Sequence, residues 1–202
     1  MNRRHFLKTT AAVAATGWFS TRALSLAADT AGATGPTNTP VAPVIPDYRY
    51  KIGVCDWMIL KRQKLGAFQL TKEIGADGVE VDMGSLGKNE TFQSQLTDPQ
   101  VRQQFLDTAR GLGLEICSLA MSGFYAQSFA ERPTVLRMVQ DCIDTMTAMR
   151  VKVAFLPLGV MSDLTKHPEL RPAVVERLQA VAKRAEAAGV VIGIETALDA
   201  AG

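Results

Sequence analysis

Apolar and polar residues alternate along this chain in a pattern that predicts five β-strands separated by helices. The strands are short apolar runs rich in Val and Ile, whereas the segments between them repeat apolar residues at helical spacing. The predicted strands are 50–57, 78–82, 114–120, 151–156 and 190–195. The predicted helices are 68–74, 97–111, 132–149 and 168–188, and glycine follows or closes three of them, at Gly75, Gly111 and Gly189.

The spacing of these elements predicts an α/β fold. The strand centres lie roughly 27 to 39 residues apart, which is the period of βαβ units with a parallel sheet and helices outside it. Two architectures fit: a five-stranded doubly wound sheet, or the first five strands of an eight-stranded (β/α)8 TIM barrel. Asp56-Trp57-Met58 follows the first strand in place of a Gly-rich phosphate loop, and no helix follows the fifth strand. We therefore favour the barrel, with only about its first five strands in this chain.

The N-terminal segment resembles a twin-arginine (Tat) signal peptide, which we assign to residues 1–27. A basic segment with Arg3 and Arg4 precedes a short, moderately apolar stretch and a small-residue cleavage site near Ala27. The apolar stretch is too short to span a bilayer. The predicted cleavage site has no Cys beside it that could carry a lipid anchor. The alternative is an amphipathic helix of the mature protein. We expect export by the Tat machinery to the periplasm, without a stable membrane anchor.

Charge and composition divide the remaining chain. Residues 28–47 are rich in Ala, Thr, Gly and Pro and predict an extended linker, and the folded domain is expected at 48–202. The chain has 22 basic and 20 acidic side chains, but four of the basic ones lie in the predicted signal. The rest is therefore mildly acidic, which disfavours nucleic acid as a partner.

Carboxylates at the ends of the predicted strands are the candidate chemistry. In parallel α/β folds, ligands bind where the strands end. Asp56 follows the first strand, Glu80 and Asp82 lie in the second, and Glu195 ends the fifth. A carboxylate there requires a metal, a cation or hydrogen-bond donors, and two of them can act as acid and base. The alternative for each is a structural acid paired with Lys, Arg or a backbone amide.

The three cysteines, Cys55, Cys117 and Cys142, have no C-x-x-C spacing. In a parallel order, Cys55 and Cys117 lie on strands separated by a third, about 9–10 Å apart and beyond disulfide reach. We therefore expect them to be buried thiols without a disulfide.

Three motifs resemble the sugar phosphate isomerase/epimerase family, whose members share the xylose isomerase-like TIM barrel. They are the first-strand sequence Ile-Gly-Val-Cys-Asp-Trp at 52–57, Gly-Ala-Asp-Gly-Val-Glu at 75–80, and Ala-Ala-Gly-Val-Val-Ile-Gly-Ile-Glu-Thr at 187–196. The resemblance covers residue 48 to the end of the sequence. Its motifs are typical of the superfamily rather than of one reaction.

The resemblance implies roles for five residues. Glu195 matches the family's fifth-strand Glu, which is a ligand of a divalent metal (Mn²⁺, Mg²⁺, Co²⁺ or Zn²⁺) and, in epimerases, a catalytic acid/base. Glu80 matches a Glu that lines the substrate pocket, and Trp57 with Phe124 or Tyr125 matches aromatics that pack against the sugar. The remaining ligands, an Asp, a His and a Glu, come from later strands that this sequence lacks. We therefore expect this stretch alone to be inactive.

The function that follows from the resemblance is a metal-dependent sugar isomerase or epimerase. It would abstract a proton next to the carbonyl of a keto-sugar or related polyol. A lyase or hydratase acting on 3-keto-glycosides or inosose is the alternative in the same family. A non-catalytic carbohydrate-binding barrel is the alternative of another class. The partners expected are a small carbohydrate and the Tat machinery, and self-association into a homo-oligomer stays open.

Overall fold

The computed structural model describes residues 50–198, all within the second of two units of the chain, Asp47–Gly202. The predicted signal peptide (1–27) and linker (28–47) lie outside the described residues. Five strands are present: β1 Gly53–Cys55, β2 Gly78–Asp82, β3 Glu115–Ala120, β4 Val153–Pro157 and β5 Val191–Glu195. Four α-helices alternate with them: α1 Gly66–Glu73, α2 Pro99–Leu112, α3 Val135–Met149 and α4 Arg171–Ala188. None of the helices in this region has the length and hydropathy needed to cross a membrane.

All five strands belong to one parallel sheet in the order β1-β2-β3-β4-β5. In a doubly wound sheet the chain winds outward in both directions from a central strand, so β1 would lie inside the sheet. Here β1 is at the edge and every strand pairs with the next one along the chain. That consecutive order is the order of a TIM barrel, and it confirms the predicted barrel architecture with five of its strands.

The helix ends follow local capping, and all four α-helices begin two or three residues away from their predicted starts. The Asp98 side chain accepts a hydrogen bond from the N–H of Gln100 at 2.7 Å, so α2 begins at Pro99 and not at residue 97. The helix continues through Gly111, however, and ends at Gly113, whose φ of 67° is left-handed. Helix α3 begins only at Val135, because the preceding segment forms turns.

The core lies between the outer face of the sheet and the helices. Val79, Val81, Leu119, Ala154 and Leu156 point outward from the central strands and are fully buried. They pack in one cluster with buried side chains of the helices, among them Phe68, Phe105 and Met138. The opposite, inner face of the sheet is less covered by other side chains, as the half-buried Glu80 and Phe155 show. The side chains available for ligand contact therefore lie on the inner face and at the strand ends.

Candidate functional site

Glu195 ends β5 and carries the most accessible carboxylate of the inner rim. Its side chain is exposed, and its Oε2 accepts a 2.5 Å hydrogen bond from the Tyr125 hydroxyl. Tyr125 is placed by a single 3-10 turn, Ser122–Tyr125, that follows β3. Burial, together with the negative charge of Glu195, raises the pKa of Tyr125, so its hydroxyl remains a donor at neutral pH. Glu195 forms no ion pair with the Lys and Arg side chains of the described region.

An aromatic tier, formed by Trp57, Phe155 and Tyr125, lines the inner face beside Glu195. The rings of Trp57 and Phe155 are stacked with centroids 6.3 Å apart, and Tyr125 lies 6.0 Å from Phe155. Phe155 was missed as a candidate from the sequence because it stands within an apolar strand. Its contacts with Trp57 and Tyr125 put it on the inner face, and the residue opposite it in β5 is Gly193, which has no side chain. Such a tier can contact the C–H face of a sugar.

Glu80 lies on the inner face of β2, half-buried between two neutral donors. The Cys55 thiol donates to Oε1 at 3.0 Å, and the Ser118 hydroxyl donates to Oε2 at 2.6 Å. A register shift between β2 and β3 skips Cys117 and pairs Glu80 with Ser118. Both Cys55 and Cys117 were predicted to be buried, but Cys55 is half-buried and Cys117 is exposed. Cys142 is buried as expected, and the three thiols are free.

Asp56 and Asp82 are buried structural acids. Asp56 accepts hydrogen bonds from the N–H groups of Gln63 (2.8 Å) and Asp82 (3.2 Å). Asp82 accepts from the N–H groups of Gly84 (2.8 Å) and Ser122 (3.2 Å), and Arg62 lies 3.3 Å away. Burial raises the pKa of Asp56 to about 7 and raises that of Asp82 as well. These contacts tie the loops after β1, β2 and β3 to the strand ends. Asp56 and Asp82 are therefore acids paired with backbone amides and Arg62, which was the alternative to a catalytic or metal-binding role.

The structure places Phe124 in the core and away from the inner face. Its side chain is 0% exposed, and its ring makes edge-to-face contacts with Phe92 (5.8 Å) and Phe129 (5.7 Å). Tyr125, the next residue, is 40% exposed and points to Glu195. Of the two aromatics considered from the sequence, only Tyr125 can therefore contact a ligand at this surface.

A cavity of about 230 Å³ opens beside Glu195. Its lining includes Tyr125, Gly159, Val160, Asp163, Glu195, Thr196 and Ala197. Gly159 has a φ of 63°, and a Cβ there would lie 2.4 Å from the Phe124 carbonyl oxygen, so the wall requires glycine. Asp163 is already engaged: hydrogen bonds from Thr165 and Lys166 lower its pKa to about 2. Glu195 is the carboxylate that this cavity leaves accessible.

A metal at this site would find one described ligand, Glu195. Its Oε1 has no hydrogen-bond partner among residues 50–198, and a carboxylate oxygen is a suitable ligand for a hard divalent cation. Over the same residues, no group of three or more His, Cys, Asp or Glu side chains is placed to hold a metal ion. The described residues therefore fit part of a metal site.

Two parts of the sequence match known families. Residues 68–200 match the family described as the xylose isomerase-like TIM barrel. Residues 1–17 match the signal sequence of the twin-arginine translocation pathway, which supports export across the cytoplasmic membrane. No curated protein matches the chain as a relative.

Solved structures share the fold at low sequence identity. A xylose isomerase domain protein from Planctomyces limnophilus superimposes with a TM-score of 0.53 and 13% identity, covering 75% of this chain and 56% of that one. The 3-keto-D-glucoside 4-epimerase of E. coli has a TM-score of 0.53 and 18% identity, covering 72% of this chain and 56% of that one. D-psicose 3-epimerase from Clostridium cellulolyticum has a TM-score of 0.51 and 18% identity, covering 71% of this chain and 51% of that one. This chain thus spans about half the length of these structures, and it belongs to the xylose isomerase-like TIM barrel family.

Proposed function

We propose that this chain carries the N-terminal part of an exported, metal-dependent sugar isomerase or epimerase. The observation that carries the proposal is the pair of Tyr125 and Glu195 at the rim of a cavity, beside the aromatic tier. A neutral aromatic surface next to an accessible carboxylate suits a sugar, which presents an apolar C–H face and polar hydroxyls. The family match supports the same class, and the signal sequence supports a periplasmic site of action.

Glu195 is the proton-transfer group in this proposal. A divalent cation, with Glu195 among its ligands, would polarise the sugar carbonyl and make the neighbouring C–H more acidic. The carboxylate of Glu195 takes up that proton. Delivery of a proton to the opposite face of the same carbon, by a second acid outside the described residues, gives an epimer. Delivery of the proton to the former carbonyl carbon, while the enediol hydroxyl proton moves from one oxygen to the other, gives an isomer.

Tyr125 orients Glu195 for this step. Its hydroxyl occupies one oxygen, Oε2, at 2.5 Å and leaves Oε1 toward the cavity. Since the raised pKa of Tyr125 keeps the phenol protonated, the hydrogen bond persists across the neutral range. The aromatic tier then holds the sugar ring over the carboxylate, and Glu80 accepts hydrogen bonds from sugar hydroxyls deeper on the inner face.

The substrate we favour carries no phosphate. Glu80 and Glu195 are carboxylates at this surface, and Asp163, in the cavity wall, is paired with Lys166 at 3.0 Å. A second basic group, Arg62, is paired with Asp82 at 3.3 Å. A phosphate would therefore meet carboxylates here, and it would have to compete with Asp82 or Asp163 for either cation.

The proposal is tested with the full-length protein freed of its signal and loaded separately with Mn²⁺, Mg²⁺, Co²⁺ or Zn²⁺. Bound metal and the conversion of a panel of ketoses are measured for the parent, for Glu195→Gln and for Glu176→Gln. Glu176 is a matched control, because it is an exposed glutamate on α4. We expect Glu195→Gln to lose metal and turnover, and Glu176→Gln to keep both.

Other outcomes would redirect the assignment. Release of water or of an aglycone from an inosose or a 3-keto-glycoside would identify a lyase or hydratase of the same barrel class. Saturable sugar binding without any conversion, at full metal content, would identify a carbohydrate-binding barrel. Unchanged metal content in Glu195→Gln would remove Glu195 from the ligand set.

A further inference from the structure

We propose that Cys55 and Ser118 are positioning residues that hold the Glu80 carboxylate as a fixed acceptor for sugar hydroxyl groups. We call the group of Cys55, Glu80 and Ser118 the Glu80 clamp. The clamp spans three neighbouring strands, with Cys55 on β1, Glu80 on β2 and Ser118 on β3. This inference rests on the proposed function, because it assumes that the inner face receives a sugar.

The register of the sheet builds the clamp. Cys55 is directly opposite Glu80 in the β1–β2 pair. In the β2–β3 pair, Val79 is opposite Ile116 but Glu80 is opposite Ser118, so one residue, Cys117, is skipped. A bulge of this kind re-aims side chains, and bulges are common next to active sites. Without the shift, Cys117 and not the Ser118 hydroxyl would be opposite Glu80.

Each carboxylate oxygen of Glu80 receives one donor. Cys55 Sγ lies 3.0 Å from Oε1, and Ser118 Oγ lies 2.6 Å from Oε2, the short distance of a charge-assisted hydrogen bond. Glu80 has no ion pair with the Lys and Arg side chains of the described region. A carboxylate can accept about four hydrogen bonds, so two acceptor positions remain for a ligand.

The Cys55 thiol acts as a donor and not as a nucleophile. Burial, the hydrogen bond to Glu80 and the charge of Glu80 raise the pKa of Cys55 to about 12. The other groups that raise it are Cys117 and Asp56. The thiol therefore keeps its proton at neutral pH, and Glu80 is held by two neutral donors whose charge state does not change there.

The first test reads the clamp without any sugar. The alkylation of each cysteine by iodoacetamide is followed by peptide mass spectrometry between pH 8 and pH 10, in the parent and in Glu80→Gln. Because the negative charge of Glu80 opposes thiolate formation, Glu80→Gln should speed alkylation of Cys55 at pH 9 by about tenfold, which corresponds to about one pKa unit. Cys117, which has no hydrogen bond to Glu80, should change less. An equal or slower rate at Cys55 would overturn the clamp.

The second test reads its role in binding. The Kd for D-fructose is measured by quenching of Trp57 fluorescence in Cys55→Ala, Ser118→Ala and Cys55→Ser, with Cys117→Ala as the matched control. We expect the two clamp deletions to weaken binding about 3- to 10-fold, Cys55→Ser to restore most of the loss, and Cys117→Ala to bind as the parent does. Equal affinity in all four variants would overturn the positioning role.

The two tests separate this inference from the proposed function. Sugar binding that depends on the clamp, without conversion of any ketose, would contradict the isomerase and leave the clamp standing. Conversion of a ketose that is unchanged by substitution of Cys55 and Ser118 would support the isomerase and contradict the clamp.

Discussion

Replacement of Phe124 by alanine should destabilise the core without removing a ligand contact. The Phe124 side chain is completely buried, and its ring contacts both Phe92 and Phe129 edge to face. Loss of a buried Phe side chain costs about 3–5 kcal/mol, which includes these aromatic contacts and the cavity left behind. At about 2–4 °C per kcal/mol, the usual sensitivity of larger domains, this corresponds to a fall in Tm of roughly 6–20 °C in the full-length protein.

The assay is urea unfolding followed by the fluorescence of Trp57, the one tryptophan of residues 28–202. Phe124→Leu keeps most of the side-chain volume and should cost about 1–2 kcal/mol. Tyr125→Phe should cost less than about 1 kcal/mol, because Tyr125 is 40% exposed and keeps its ring, but it should weaken sugar binding. A cost below about 1 kcal/mol for Phe124→Ala, or a larger loss of stability in Tyr125→Phe, would refute the assignment of the two aromatics.

Three further predictions concern the loops and helices that position the site. Gly159→Ala should destabilise the protein by about 1–3 kcal/mol in thermal unfolding and displace Tyr125, because the new Cβ would lie 2.6 Å from the Tyr125 Cα. Gly66→Ala is the control and should be neutral, because no atom lies within 4 Å of a Cβ at that position. The raised pKa of Asp56 means that the folded state binds the proton more tightly than the unfolded chain. The free energy of unfolding should therefore fall by up to about 4 kcal/mol between pH 4 and pH 7, and Asp56→Asn should flatten that slope. Asp98→Ala removes the N-terminal cap of α2 and should cost about 1 kcal/mol in urea unfolding, and an unchanged midpoint would show that the cap is dispensable.

The fold could be predicted because its elements are encoded locally. The short runs around Val79, Val153 and Ile192 are rich in the β-branched residues Val and Ile, which favour strands, and all three lie in observed strands. Helix ends were less certain, because two glycines compete at the end of α2. Gly111 remains helical, and Gly113, with a left-handed φ, ends the helix.

The site could be predicted only in part, because side-chain direction depends on register. The sequence identifies Glu80 and Glu195 at the strand ends, and the family resemblance adds Phe124 or Tyr125. It does not show that Phe124 turns into the core while Tyr125 turns to Glu195. It also does not reveal the bulge at Cys117, which decides that Ser118 is opposite Glu80. A one-residue shift in register exchanges the two faces of a strand, and no local pattern encodes it.

The most direct test of the proposed chemistry is hydrogen exchange at carbon. The metal-loaded full-length protein is incubated with a ketose in D₂O, and deuterium at the carbon next to the carbonyl is measured by NMR, alongside Glu195→Gln and Glu176→Gln. We predict deuterium uptake with the parent and with Glu176→Gln, and loss of at least about 100-fold in rate with Glu195→Gln, as expected for removal of an acid/base group. Uptake at the parental rate in Glu195→Gln would contradict the assignment of Glu195 as the proton-transfer group.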